Sequence, residues 1–342
     1  MNLLLELIRQ LGPSGSEGGV RDLIRKEMKK YVNEVFVDNV GNLICHRKGK
    51  GEKVMLAAHM DEVGLMIKKI EENGFIRLTT IGGIEPISLI GQGVIILNEK
   101  YKDACKGIIT FAEFHDATKI EGIPRIEELY VDTGVSKKEL VKMGVTIGNY
   151  IIPLHATNFL GSNKIMTGKA LDDRIGCYAL IELARRLRNT KLKVDMYYVF
   201  TVQEEIGMYG AKAAAWNIKP DWGIAVETTT SKDSDIRGSS VIGKGPFLTI
   251  KDAQMVSNRC LDDWIKKTAK KHKLPLQLEV DEFGTTDATN IMLSRGGISS
   301  TTIAVAVRNI HSTVGICHLD DVENMIKILY HGMRDPPKVC DV

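Results

Sequence analysis

The sequence predicts an α/β fold: a mixed, mainly parallel sheet with helices on both faces, interrupted by an inserted small β-rich domain. Three observations predict it. Continuous apolar runs of strand length, Val54-Met55-Leu56-Ala57-Ala58 and Met196-Tyr197-Tyr198-Val199-Phe200, have the character of central strands covered on both faces. Segments of helical periodicity alternate with such runs, as a parallel sheet with crossover helices requires. From about Met66 to about Thr157 the texture changes to short apolar segments separated by glycine turns. The expected division is a larger domain over 1–65 and 158–342 and a β-barrel-like insertion over 66–157.

Taken in order, the amphipathic start Met1–Arg9 predicts a helix, and after the turn cluster Gly12-Pro13-Ser14-Gly15 a second helix runs through Val20, Leu23, Ile24 and Met28, with Ser16 able to cap it. Short strands follow near Val35–Val37 and Asn42–Cys45, and the Val54–Ala58 run ends in His59-Met60-Asp61-Glu62. In the insertion, Phe75–Leu78, Val94–Leu97, Gly107–Thr110 and Tyr150–Leu154 read as strands and Lys137–Met143 as a helix, with Gly82-Gly83 and Gly91-Gln92-Gly93 as β turns. A helix after Asp172-Asp173 carries Ile175, Ala179, Leu183 and Leu187 on one stripe. Beyond the strand that leads to Glu204 come Trp222–Val226, a helix over Leu261–Lys271, strands near Leu276–Val280 and Ser300–Val307, and a final helix over Val322–His331.

Bulk composition narrows the function. With 46 basic and 43 acidic residues the net charge is +3, which argues against a nucleic-acid binder. No uninterrupted apolar run is long enough to span a bilayer and the first helix carries internal charges, so no membrane partner and no signal peptide are expected. Six scattered cysteines in a chain this long predict free thiols and a cytoplasmic location.

The chemistry lies at the strand ends. His59 and Asp61, Glu204 and Glu205, Glu227, and His311 all stand there, while Asp172 and Asp173 stand where a loop enters a helix. Imidazole and carboxylate together suit zinc, cobalt or manganese, and two metals close together need a bridging carboxylate and a separate base. His59 would bind one metal and His311 the other, with Asp172 between them. Asp61 would orient the His59 imidazole. One carboxylate does not easily serve as both ligand and base, so Glu205 is expected as the ligand and Glu204 as the general base. Asp233 and Asp235 are rival ligands in a loop. Asp287 is expected to cap a helix, with a role beside the substrate amine as the sharper alternative; Cys177 and the remaining histidines, His115 among them, are expected to be structural.

His59-Met60-Asp61-Glu62-Val63-Gly64, Ala170-Leu171-Asp172-Asp173-Arg174-Ile175-Gly176, Gln203-Glu204-Glu205-Ile206-Gly207, Gly284-Thr285-Thr286-Asp287-Ala288 and Asn309-Ile310-His311-Ser312 resemble, in order and spacing, the M42 family of metallo-aminopeptidases, the TET-type enzymes once labelled endoglucanases. The resemblance covers almost the whole chain, including Gly12–Gly15 and Gly243-Lys244-Gly245-Pro246. It implies a fold of the di-zinc exopeptidase type and removal of N-terminal residues from short peptides with two divalent ions, zinc or cobalt. It implies one ion on His59 and Glu205, the other on Glu227 and His311, Asp172 shared, and a cis bond between Asp172 and Asp173. It also implies homo-oligomers, in which dimers joined through the inserted domain build a hollow dodecamer.

Glu227 departs from the pattern, because the family usually has Asp there. Glu at this position is more typical of two-metal carboxypeptidases and deacylases, so an N-acyl hydrolase or carboxypeptidase is the alternative. A glycosidase would have no use for the two histidines.

Overall fold

A computed structural model describes residues 2–112, 122–233 and 241–337. In chain order its helices are α1 (Asn2–Arg9), α2 (Gly18–Met28), α3 (Lys137–Lys142), α4 (Leu171–Leu187), α5 (Tyr209–Ile218), α6 (Arg259–Lys271), α7 (Asp287–Met292) and α8 (Leu319–Arg334). The strands up to the middle of the chain are β1 (Glu34–Val37), β2 (Leu43–Arg47), β3 (Lys53–His59), β4 (Gly64–Ile70), β5 (Ile76–Ile81), β6 (Gly93–Leu97), β7 (Asp103–Thr110), β8 (Tyr130–Asp132) and β9 (Tyr150–Pro153). The rest are β10 (Asn158–Leu160), β11 (Ser162–Gly168), β12 (Asp195–Thr201), β13 (Trp222–Thr230), β14 (Phe247–Lys251), β15 (Gln277–Val280), β16 (Ser299–Arg308) and β17 (Gly315–His318).

The chain forms two compact units, one of Met1–Asp61, Thr157–Ile310 and Gly315–Val342, the other of Glu62–Ala156 and His311–Val314. The larger unit holds an 11-stranded sheet ordered β1-β2-β12-β3-β13-β16-β17-β11-β10, with β14 beside β16 and β15 beside β14. Its centre, β12-β3-β13-β16, is parallel; the flanking pairs are antiparallel, except β14-β15, which is parallel. The continuous apolar character of β3 follows from burial on both faces. Val54, Leu56 and Ala58 pack with α1, α2, α4, α6 and α8, while Met55 and Ala57 pack against Ala211, Ala214 and Ala215 of α5 and Ile291 of α7. Phe200 of β12 is fully buried, and its truncation to Ala would cost about 3–5 kcal/mol.

The smaller unit is a closed barrel, β4-β5-β8-β7-β6-β9, whose neighbours run antiparallel around their own apolar core of Leu65, Ile76, Val94, Ile109, Val131 and Ile151. Gly82 and Gly91 both take φ of 78°, the left-handed conformation that glycine supplies to such turns.

Two expectations are corrected. Ser16 does not cap α2: the helix begins at Gly18, with Glu17 in the capping position and making no side-chain bond to its own helix. Cys45, Cys105, Cys177 and Cys317 are free thiols, but Cys260 is disulfide-bonded; pairing is set by which Cα atoms the fold brings together, which cysteine spacing does not reveal. His115, Asp235 and Cys340 lie outside the described residues. Among the described residues no helix is long and apolar enough to cross a membrane.

Candidate metal centre

The parallel centre of the large sheet delivers its chemistry at one end. The β3 run stops at His59, and the Met60 amide donates to the Thr201 carbonyl at the end of β12 (2.8 Å), which holds the two strand ends side by side. Glu227 lies within β13, which pairs with β3 on the side away from β12. His59 is buried, its Nε2 lying 3.0 Å from Asp172 Oδ1, 3.6 Å from Glu227 Oε2 and 3.9 Å from Glu204 Oε2. Ligand-type atoms of His59, Asp172 and Glu205 all lie within 4.8 Å of one another, as do those of His59, Asp173 and Glu227.

Asp172 and Asp173 precede the regular part of α4 with non-helical backbone, and the peptide bond between them is cis. Asp173 is fully buried; its Oδ1 accepts from the Gly176 amide (2.9 Å). Cys177, a turn further on, donates its thiol to the His59 carbonyl (3.1 Å). Burial pushes that thiol well above the usual range, which suits packing and not nucleophilic attack.

The Glu204-Glu205 pair sits on a tightly closed loop. Asn42 spans its base, accepting from the Val202 amide (3.1 Å) and donating to the Gly210 carbonyl (2.8 Å). Asp61 accepts from the Glu204 amide on Oδ1 (3.1 Å), from the Glu205 amide on Oδ2 (3.2 Å) and from Ser14 Oγ on Oδ2 (2.6 Å). Asn290 donates to the Gly207 and Met208 carbonyls (3.3 and 2.9 Å). Within this frame Gln203 and Met208 take positive φ of 55° each, an uncommon conformation for side-chain-bearing residues that only surrounding contacts maintain.

The structure brings His59, Asp61, Asp172, Glu204, Glu205 and Glu227 together in the larger unit and adds Asp173 to them. His311 belongs to the smaller unit, where its Nδ1 lies 3.1 Å from the position a Cβ on Gly83 would take. Asp233 is not in the cluster, being held by both arms of Arg308 (2.7 Å each). Asp287 is not a cap; Thr286 caps α7 by accepting from the Ala288 amide. Asp287 is instead fully buried, and its Oδ2 accepts from Thr201 Oγ1 (2.5 Å). The sign was in the sequence: with Thr286 ahead of it, Asp287 is not needed as the cap.

Electrostatics set the demand. Burial, reinforced by the charge of Asp173, pushes the Glu227 carboxyl well above its usual range. Burial does the same to Glu204, with Asp287 and Glu205 adding to it and His59 opposing, and to Asp173. Asp287 is raised to about 6, chiefly by burial. Burial pulls His59 down, but Glu227, Asp172 and Asp61 outweigh it and leave the imidazole well above its ordinary range. Buried Oδ2 of Asp173, Oε1 of Glu227 and Oδ1 of Asp287 have no hydrogen-bond partner among the described residues. So many carboxylates around one imidazole call for a cation, and the oxygen and imidazole donors fit a divalent ion of the zinc, cobalt or manganese type.

The parallel centre of a mixed α/β sheet, with the start of α4, thus gathers one imidazole and several carboxylates into a group that could hold a metal ion. Residues 41–328 match the family model described as M42 glutamyl aminopeptidase. The chain is 37% identical over 334 residues to a lysyl aminopeptidase of Pyrococcus furiosus, covering 95% of this chain and 94% of the relative. The structure superposes on a TET aminopeptidase from a marine-sediment Thaumarchaeota archaeon (TM-score 0.93, 32% identity, 98% and 96% of the two chains). It also superposes on the Pyrococcus horikoshii TET1 peptidase, which assembles into a tetrahedron or a large octahedral shell (TM-score 0.89, 29% identity, 98% and 99%). The chain belongs to the M42 family of aminopeptidases and is a peptidase.

Proposed function

We propose that this aminopeptidase uses two divalent ions, zinc or cobalt, to release N-terminal residues from short peptides, with Glu204 as general base. The observation that carries the reading is the convergence of Asp172, Glu227 and Glu204 on His59 Nε2, at 3.0, 3.6 and 3.9 Å. His59 and Glu205 would hold one ion, Glu227 would serve the second with Asp172 shared, and His311 is kept as the further ligand on the strength of its sequence motif. When bound, the ions supply Lewis-acid polarisation of the peptide carbonyl and lower the pKa of water toward neutrality.

The protein's own part is proton handling and placement. Glu204 accepts the proton of the attacking water on its carboxylate and returns it to the departing amine. Asp61, through its grip on the Glu204 and Glu205 amides, keeps base and ligand in fixed register. The negative charge of Asp287 adds to the upward shift of Glu204 and favours Glu204 keeping the proton between the two steps.

Glu204→Gln is the test. It is expected to keep the wild-type metal content by mass spectrometry and to lose at least 100-fold in kcat, the scale of general acid–base contributions. Wild-type turnover with unchanged metal would remove Glu204 from the mechanism. Assaying free-amine peptides beginning with Lys, Glu, Leu and Ala against N-acetylated and C-terminally blocked ones separates an aminopeptidase from an N-acyl hydrolase or carboxypeptidase. Solved relatives described as a dodecamer and as assembling into a tetrahedron or a large octahedral shell support a homo-oligomer, a dodecamer by family resemblance; a particle of monomer mass by light scattering would overturn that.

A further inference from the structure

Glu17 stands at the N-terminal end of α2, yet its side chain makes no bond to that helix. Glutamate is not among the favoured capping residues in any case. The carboxylate is buried instead, 5% exposed, at a desolvation cost that needs a compensating role. Its Oε1 accepts from the Gly15 amide (2.7 Å) and from the Gln203 amide (3.3 Å).

That second bond completes a series. The consecutive amides of Val202, Gln203, Glu204 and Glu205 are received by Asn42, Glu17, Asp61 and Asp61 respectively. Four successive main-chain donors are thus fixed by side chains from three separate segments, all upstream of the barrel in sequence. Gln203 is the one with left-handed φ, so Glu17 holds the amide of the residue whose conformation is least favourable by itself. The Ser14 hydroxyl on Asp61 (2.6 Å) ties the same turn, residues 14–17, to the adjoining carboxylate. One turn therefore supports the loop at two points.

We propose that Glu17 is a positioning residue for the Glu204-Glu205 loop: by receiving the Gln203 amide it fixes the direction in which Glu204 presents its carboxylate. The proposal rests on Glu204 being the base. It requires an oxygen acceptor at Glu17 and not a charge, which the conservative variants separate. Glu17→Gln retains a side-chain carbonyl in place of Oε1, and Glu17→Met fills the same space without one.

Expected results are a kcat about tenfold lower in Glu17→Met with KM within twofold, and near wild-type kcat in Glu17→Gln, since small misplacements of a catalytic group cost one to two orders of magnitude. Hydrogen exchange of peptides spanning 202–208, measured on chelated protein, should quicken in Glu17→Met and not in Glu17→Gln, while peptides in β12 stay protected. Wild-type kcat and exchange in Glu17→Met would overturn the proposal. So would equal losses in both variants, which would mean that the charge matters, or a parallel fall of kcat, metal content and melting temperature, which would mean general unfolding. Glu204→Gln assayed alongside keeps the two readings apart: if it retains turnover the base assignment fails, whereas a dead Glu204→Gln with an unaffected Glu17→Met removes Glu17 alone.

Discussion

His59 Nδ1 lies 3.1 Å from the main-chain carbonyl oxygen of Asp61 and 3.6 Å from the Asp61 carboxylate. The nearer acceptor is the backbone, so the tautomer that leaves Nε2 facing Asp172 is set mainly by the peptide group. The Asp61 side-chain oxygens accept from Ser14, Glu204 and Glu205; burial pulls its carboxyl up, but His59 first, then the bonds from Ser14 and the Glu204 amide, hold it below the usual range.

Asp61→Asn should therefore separate the two functions. One amide oxygen remains where three donors were received, so the Glu204-Glu205 loop loses definition while the carbonyl still orients His59. A kcat at least tenfold lower with metal content within twofold of wild type is expected. Loss of metal with unchanged turnover per bound ion would instead place the carboxylate on the imidazole.

Chelation should destabilise the protein in a pH-dependent way. The folded-state pKa values of Asp173, Glu204 and Glu227 are raised, and that of Asp287 to about 6 from 3.8. A carboxyl raised in the folded state contributes stability that is complete below its unfolded value and is lost as pH rises through its folded value. For Asp287 that window runs from about 4 to about 6. Cations offset the same charges, so the melting-temperature gap between metal-loaded and chelated protein should widen from pH 5 to pH 7 in thermal shift measurements. A constant gap across that range would contradict the electrostatic role given to the cluster.

Much of this was legible in the sequence because apolar runs announce buried strands and their polar endings announce a rim: β3 with His59 and β12 with Glu204 are read directly. Less legible were β11, whose first three residues Ser162, Asn163 and Lys164 are exposed, and β17, four residues long. Neither has enough apolar alternation to register. The alanine-rich α5 lacks apolar contrast between its faces. Ser14, Glu17, Asn42 and Asn290 were out of reach for a different reason: the last three bond the main chain of a loop distant in sequence and Ser14 bonds the Asp61 carboxylate, and side-chain pattern carries no record of such partners. For Asp287 the local sequence shows, through Thr286 ahead of it, that a cap is already supplied, but not what the carboxylate does instead, because its partner, Thr201, is 86 positions away.

Gly210→Ala tests how tightly the loop base is built. A Cβ there would come within 2.4 Å of Asn42 Oδ1, 2.5 Å of the Val202 carbonyl oxygen and 2.6 Å of its nitrogen. Two of the three are backbone atoms with no freedom to retreat. A destabilisation of about 1–3 kcal/mol is expected from such overpacking, with kcat falling further than stability because the displaced Asn42 also holds the Val202 amide. Wild-type melting and turnover would show the loop base to be plastic.

Arg308 grips Asp233 through Nε on one oxygen and a terminal nitrogen on the other, 2.7 Å each, and this fork pulls the Asp233 carboxyl down to about 2. A depressed carboxyl contributes stability that is present above its unfolded value, near 3.8, and is lost as pH falls through its folded value. Between about pH 4 and pH 2 the pair should therefore let go. Arg308 is partly exposed, so its removal should cost only about 1 kcal/mol at neutral pH. Because Asp233 is committed to Arg308, neither Arg308→Ala nor Asp233→Asn should alter metal content, and both should keep kcat within twofold. Chemical denaturation at pH 7 and pH 3 checks the first point, with the stability difference from wild type shrinking at the lower pH. Metal analysis checks the second, and a missing equivalent of metal in Asp233→Asn would return that residue to the ligand set.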